Sequence, residues 1–119
     1  MPQTILIVDD DLATLELYER ELGREYRVLT CTDEIQASAV LGSEDISAIV
    51  LEPVAFGEQG WAKLTAIAHM PTKRPVPVLV CSTQDERRRG LEMGATACLV
   101  KPVLPTTLLD ALRKIAPPT

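Results

Sequence analysis

The sequence predicts an α/β domain with a doubly wound, five-stranded parallel sheet in the order 2-1-3-4-5 and five helices. Three observations carry this expectation. Five short aliphatic segments, Ile5–Val8, Tyr26–Thr30, Ala48–Leu51, Val78–Cys81 and Ala97–Val100, alternate with stretches whose apolar residues recur at three and four positions. The first segment is a continuous aliphatic run, the pattern of a strand buried on both faces. Strict alternation of strand and helix implies parallel strands joined by right-handed crossovers, and 2-1-3-4-5 is the usual order for that count.

Each helix has its own signals. Leu12, Leu15, Tyr18 and Leu22 form one apolar stripe, and Gly23 is placed to end the first helix. Thr32, Asp33 and Glu34 open the second with a cap and first-turn acids. Trp61, Leu64 and Ala68 mark a third, stopped before Pro71. Residues Gln84 to Met93 read as a fourth, ended by Gly94. Pro105 suits the first turn of a fifth, with Leu108, Leu112 and Ile115 at helical spacing.

Composition bounds the function. The chain has 119 residues, enough for one core, and 46% of them are apolar and 24% charged. Aromatic residues are 3%, so the core must be aliphatic. A net charge of −5 argues against nucleic-acid binding by this segment. The longest apolar runs are too short for a membrane span, and Met1-Pro2-Gln3 leads directly into a strand, with no room for a signal peptide. Cys31, Cys81 and Cys98 are widely spaced, no CxxC occurs and one His is present, which argues against a zinc site and for reduced thiols in a cytoplasmic protein. Residues 1–116 read as one domain, and 117–119 as a tail or the start of a linker.

In an open parallel sheet, ligands bind beyond the carboxyl ends of the strands where strand order reverses. That point lies between the first and third strands. Asp9-Asp10 follows the first strand and Glu52 the third, while Ser82 and Lys101-Pro102 follow the fourth and fifth. Five polar residues distant in sequence thus share one edge.

This constellation resembles the receiver domain of two-component response regulators, a flavodoxin-like fold, over essentially the whole chain. The resemblance implies phosphoryl transfer to a carboxylate, with an acidic pair and a divalent cation such as Mg²⁺ to neutralise charge. It maps Asp9 and Asp10 to the acidic pair, with Asp10 the more direct ligand, and Asp9, Asp10, Glu52 and the Val54 carbonyl to a residual Mg²⁺ site. Ser82 matches the switch hydroxyl and Lys101 the phosphate-binding lysine. Pro102 matches the proline after it, often joined by a cis bond, and Gly60 and Gly94-Ala95 match glycine positions.

The departures fall on the relay. Glu52 stands where the family has its acceptor Asp, Cys98 where it has the aromatic switch residue, and Ala55-Phe56 where a Met-Pro pair is usual. Pro53 restricts Glu52 to extended geometry and removes an N–H beside the pocket. The expectation is a degenerate receiver, or pseudo-receiver, that is not an enzyme and serves a bacterial phosphorelay as a protein-interaction module. The alternative is a working Mg²⁺-dependent phospho-acceptor with autophosphatase activity. The resemblance places partner or self-dimer contacts on the fourth helix, fifth strand and fifth helix, where Arg87, Arg88 and Arg89 would meet an acidic partner.

Plainer roles compete for the same residues. Asp11 suits a helix cap. Lys101 suits a structural counter-ion among clustered carboxylates, reached directly by Glu52, which would also reach Ser82. His69 suits a cation at a helix C-terminus; Trp61, Met70 and Met93 suit packing, Cys81 and Cys98 inert thiols, and Arg87–Arg89 a solvated face. A dinucleotide-binding turn is excluded by Asp9-Asp10-Asp11 where phosphate-admitting glycines would stand, and no P-loop or nucleophile elbow occurs.

Overall fold

The computed structural model describes residues 3–53, 75–85 and 87–118 and the single positions 59, 62 and 66. Its elements are β1 (Thr4–Val8), α1 (Leu12–Leu22), β2 (Arg27–Cys31), α2 (Glu34–Ser43), β3 (Ala48–Leu51), β4 (Val78–Ser82), α3 (Arg87–Glu92), β5 (Ala97–Val100) and α4 (Pro105–Ile115). The five strands pair in parallel in the expected order β2-β1-β3-β4-β5. Among the described residues there are four helices rather than five. The helix expected around Trp61, Leu64 and Ala68 lies outside the described residues.

Register positions the site. Val8 lies beside Cys31 on one side and Leu51 on the other, so Asp9 and Glu52, each the next residue, leave neighbouring strands at the same level. Leu51 lies beside Val80, and Ser82 beside Val100. Ser82 and Lys101 therefore arrive at that same carboxyl edge. The backbone continues the ladder past the strand ends, with Glu52 N donating to Val8 O at 2.9 Å and Lys101 N to Ser82 O at 2.7 Å.

The two-sided burial expected of the first strand is met, while the edge strands β2 and β5 are only partly buried. In β1, Ile5 and Ile7 face one core with Val50, Leu79, Cys81, Leu15, Tyr18, Leu22, Leu108 and Leu112. Leu6 and Val8 face the other with Ile49, Leu51, Val78, Val80, Ala37 and Leu41. Side chains alternate across a strand, so one aliphatic run supplies both layers. The first helix buries Leu15, Tyr18 and Leu22 of its stripe, whereas Leu12 is 66% exposed, because it stands at the helix mouth beyond the sheet edge.

Helix ends follow local chemistry. Asp33 caps α2 by accepting from Gln36 N at 2.9 Å, and the Gln36 side chain returns to accept from Thr32 N at 2.9 Å, a reciprocal cap. Gly94 after α3 has φ 97°, a left-handed conformation that glycine adopts without strain. Gly23 ends α1 without that turn, at φ −62°, its N–H donating to Glu19 O at 2.9 Å. Pro105 takes the first turn of α4 as expected. The far edge of the sheet is fastened by Tyr26, whose hydroxyl donates to Ala116 O at 2.8 Å, and by the Arg113 fork on Glu25.

Leu112 is fully buried in the first core, while Ile35 at the start of α2 is 79% exposed. Leu112→Ala is expected to lower stability by about 2–5 kcal/mol through lost transfer energy and a cavity. Ile35→Ala is expected to stay within about 0.5 kcal/mol. Urea denaturation of the two variants beside the parent checks both.

Candidate functional site

Five aligned strand ends bring three charged side chains together. Lys101 Nζ donates to Asp9 Oδ2 at 2.7 Å and stands 3.2 Å from Glu52 Oε2. Asp9 and Glu52 are each 3% exposed, and the Lys101 side chain is 15% exposed. Asp9 Oδ1 accepts from Asp11 N at 2.9 Å, so both oxygens of Asp9 are engaged. Two carboxylates on one ammonium leave this cluster with one negative charge.

Burying these charges is costly, and their mutual attraction repays the cost only when all partners are present. Burial alone would lower the Lys101 pKa. The hydrogen bond to Asp9 and the charges of Asp9 and Glu52 outweigh it and hold the ammonium above its usual value. Lys101 is therefore a full cation across the physiological range.

The remaining expected site residues separate into two groups. Ser82 is buried at the same edge, where its Oγ accepts from Gln84 N at 3.2 Å; that bond, rather than one to Glu52, is its partner among the described residues. Asp10, expected to be the more direct metal ligand, is exposed, and Asp9 is the acid drawn into the cluster. Asp11 stands at the N-cap of α1 as expected, although its side chain accepts from the Thr14 hydroxyl, at 2.5 Å, and not from a backbone N–H. That hydroxyl bond lowers the Asp11 pKa. Pro102 follows Lys101 through a cis peptide bond, as the resemblance implied. Val54, Ala55, Phe56, Gly60, Trp61, His69 and Met70 lie outside the described residues.

Carboxylate oxygens suit Mg²⁺ in kind, since it is a hard cation that takes oxygen ligands. The arrangement of the described residues does not fit it. Both Asp9 oxygens are engaged, Glu52 turns to the same ammonium, and Asp10 points to solvent. Among the described residues, no group of three or more His, Cys, Asp or Glu side chains is arranged to hold a metal ion.

A layer beneath the cluster escaped the sequence reading. Tyr18 Oη lies 3.9 Å from Cys81 Sγ, both buried in the first core. Burial pushes both pKa values up, so phenol and thiol stay protonated at neutral pH. A protonated, enclosed thiol is unreactive, which fits the packing role over the redox one for Cys81. Tyr18, Thr14, Leu17 and the stem of Lys101 line a cleft of about 420 Å³ that opens beside the cluster. The only signal available for Tyr18 was its place on the apolar stripe of α1. Cys98 is half-buried and packs against the second core. Arg87, Arg88 and Arg89 are exposed on α3; Arg87 pairs with Asp85 at 2.7 Å and Arg88 with Glu92 at 3.2 Å.

A parallel 2-1-3-4-5 sheet with acids and a lysine at its carboxyl edge defines a class of signalling domain, and comparison with known proteins places the chain within it. The chain belongs to the response regulator receiver domain family, which it matches over residues 5–113. It is thus a receiver domain of two-component signalling. It is 32% identical over 119 residues to the response regulator PleD of Caulobacter vibrioides, covering 97% of this chain and 26% of that protein. It is 34% identical over 113 residues to the transcriptional regulatory protein PrrA of Mycobacterium tuberculosis, covering 93% and 48%. The chain spans less than half the length of these relatives. Among solved structures it is similar to a putative response regulator from Chloroflexus aurantiacus, at 27% identity and TM-score 0.87 with 98% of each chain covered. It is also similar to the chemotaxis response regulator CheY4 of Vibrio cholerae, at 25% identity and TM-score 0.86, covering 97% and 99%. Among the described residues no helix is long and apolar enough to cross a membrane.

Two outcomes are expected from this geometry. Lys101→Met strands two buried carboxylates without their cation and is expected to cost about 3–5 kcal/mol, read by urea denaturation at neutral pH. Tyr18 adds a pH effect. Its folded pKa is raised above the ordinary 10.0, so its contribution is complete below pH 10.0 and is lost as pH rises through the folded value. Above pH 10.0, the parent should lose stability with a steeper slope than Tyr18→Phe, while at neutral pH the two differ by less than about 1 kcal/mol. Urea midpoints for both proteins across that range check the sign.

Proposed function

We propose that this receiver domain is not switched by phosphate at position 52 and acts as a protein-interaction module whose pocket is held in one state. The observation that carries this reading is Glu52 itself, 3% exposed and 3.2 Å from Lys101 at the end of β3. A glutamate carboxylate there stands about one bond length, ~1.5 Å, further out than that of an aspartate. A misplacement of about 1 Å can cost on the order of 100-fold in rate when a nucleophile must meet phosphorus in line. Glu52 also brings a permanent single charge, where a phosphoryl group brings up to about two that can be added and removed.

Two further features agree with a fixed state. Cys98, at the position of the family's aromatic switch residue, lacks the bulk of a ring that could swing between two packings. Ser82 Oγ accepts from Gln84 N at 3.2 Å, which ties the hydroxyl to its own loop. Output would then pass through partner binding at a constant surface. The outer side of α3, β5 and α4 is the proposed face, with the exposed Arg87, Arg88 and Arg89 meeting an acidic partner or a second copy. Arg87 and Arg88 already pair with Asp85 and Glu92, so a partner would compete for pre-oriented guanidinium groups.

Intact mass after incubation with a small-molecule phosphodonor and Mg²⁺ tests the reading. The parent is expected to show no labile phosphate-sized increment and Glu52→Asp to show one, because the variant restores the family's acceptor type at that position. An increment on the parent would establish another nucleophile and overturn the reading in favour of a working phospho-acceptor.

A further inference from the structure

We propose that Lys101 is the resident cation of this pocket, so that the domain folds and keeps the pocket closed without a divalent metal. The inference rests on the reading of Glu52 given above and extends it to the acidic pair.

The geometry ties both Asp9 oxygens to nitrogen and sets one Glu52 oxygen beside the ammonium. Asp9 Oδ2 accepts from Lys101 Nζ at 2.7 Å and Asp9 Oδ1 from Asp11 N at 2.9 Å. Glu52 Oε2 turns to the same ammonium at 3.2 Å. Lys101 is fixed at its backbone by the 2.7 Å bond to Ser82 O, and its side chain is 15% exposed, so the ammonium is placed by the sheet. The long side chain of Lys101 reaches carboxylates that follow β1 and β3, three and two strands away in the sheet.

Charge balance points the same way. Asp9, Glu52 and Lys101 sum to −1. A dication added to them would leave +1 and stand close to the ammonium, a repulsion that grows as solvent is excluded. Asp10 is exposed at the rim, where water and salt screen its charge. Mg²⁺ also demands near-octahedral oxygens at about 2.0–2.1 Å and sheds water reluctantly. It would have to displace Lys101 from Asp9 before binding. Without the lysine charge the two carboxylates sum to −2, which a dication neutralises.

The test is thermal unfolding followed by circular dichroism for the parent, Lys101→Arg and Lys101→Met, in EDTA and in about 10 mM MgCl2 at matched ionic strength. The parent and Lys101→Arg are expected to melt within about 1 °C of themselves in the two buffers. Lys101→Met is expected to melt lower in EDTA and to recover by several degrees in MgCl2, or to fold only when MgCl2 is added. Stabilisation of the parent as large as that of Lys101→Met overturns the proposal, as does a Lys101→Met protein that melts and ignores MgCl2. If Lys101→Met folds in neither buffer, calorimetric titration of the parent with MgCl2 decides. Absence of saturable heat up to about 10 mM supports the proposal and a saturable isotherm overturns it. The two readings fail separately: a parent that binds Mg²⁺ yet gains no phosphate overturns only this one, and a phosphate increment on a parent indifferent to Mg²⁺ overturns only the other.

Discussion

The ammonium of Lys101 is the point on which the carboxyl edge of the sheet depends. Asp9 follows β1, Glu52 follows β3 and Lys101 follows β5, so one nitrogen ties together three strand ends that share no sequence proximity. A buried charged cluster is poor evidence for stability, since its desolvation offsets most of its attraction. Its effect is on arrangement. The three strand ends can satisfy their charges only in the register observed, and any slip would bury at least one carboxylate alone.

That dependence explains why position 52 matters beyond its own side chain. In a pocket organised for phosphate, the lysine would meet a charge that comes and goes. Here Glu52 offers it a covalently fixed carboxylate, and Asp9 takes the shorter bond. A switch needs two arrangements of similar free energy whose balance a ligand shifts. The cluster supplies one arrangement with internal charge neutralisation to −1, and the small Cys98 supplies no competing ring packing. The permanently set receiver proposed above would be a coherent product of these substitutions, with the fold retained by the two cores on either side of the sheet.

Beneath the charges lies a protonated layer, Tyr18 against Cys81. It joins the cluster to the first core, which α1 and α4 cover. Lys101 lies over it, its stem packed along the cleft that Tyr18 and Leu17 line. The pocket floor is thus uncharged and buried, which strengthens the interaction of the charges above it.

Sequence alone determined the sheet and its order, because continuous aliphatic runs alternating with 3.6-residue periodicity admit few other solutions. It also determined which residues reach the carboxyl edge, because parallel topology assigns each strand end to that edge whatever the side chain. Glu52, Ser82, Lys101 and the cis Lys101–Pro102 bond were legible on those grounds and by family resemblance. Tertiary structure decided the rest. Asp9 rather than Asp10 enters the cluster, since adjacent residues leaving a strand point opposite ways and only one can face inward. Ser82 bonds Gln84 rather than Glu52, Leu12 at the head of the first helix's stripe is exposed, and Tyr18 meets Cys81 across 63 positions of sequence. Each depends on distances of a few ångströms between elements, and residue spacing carries no information on that scale until the elements have packed.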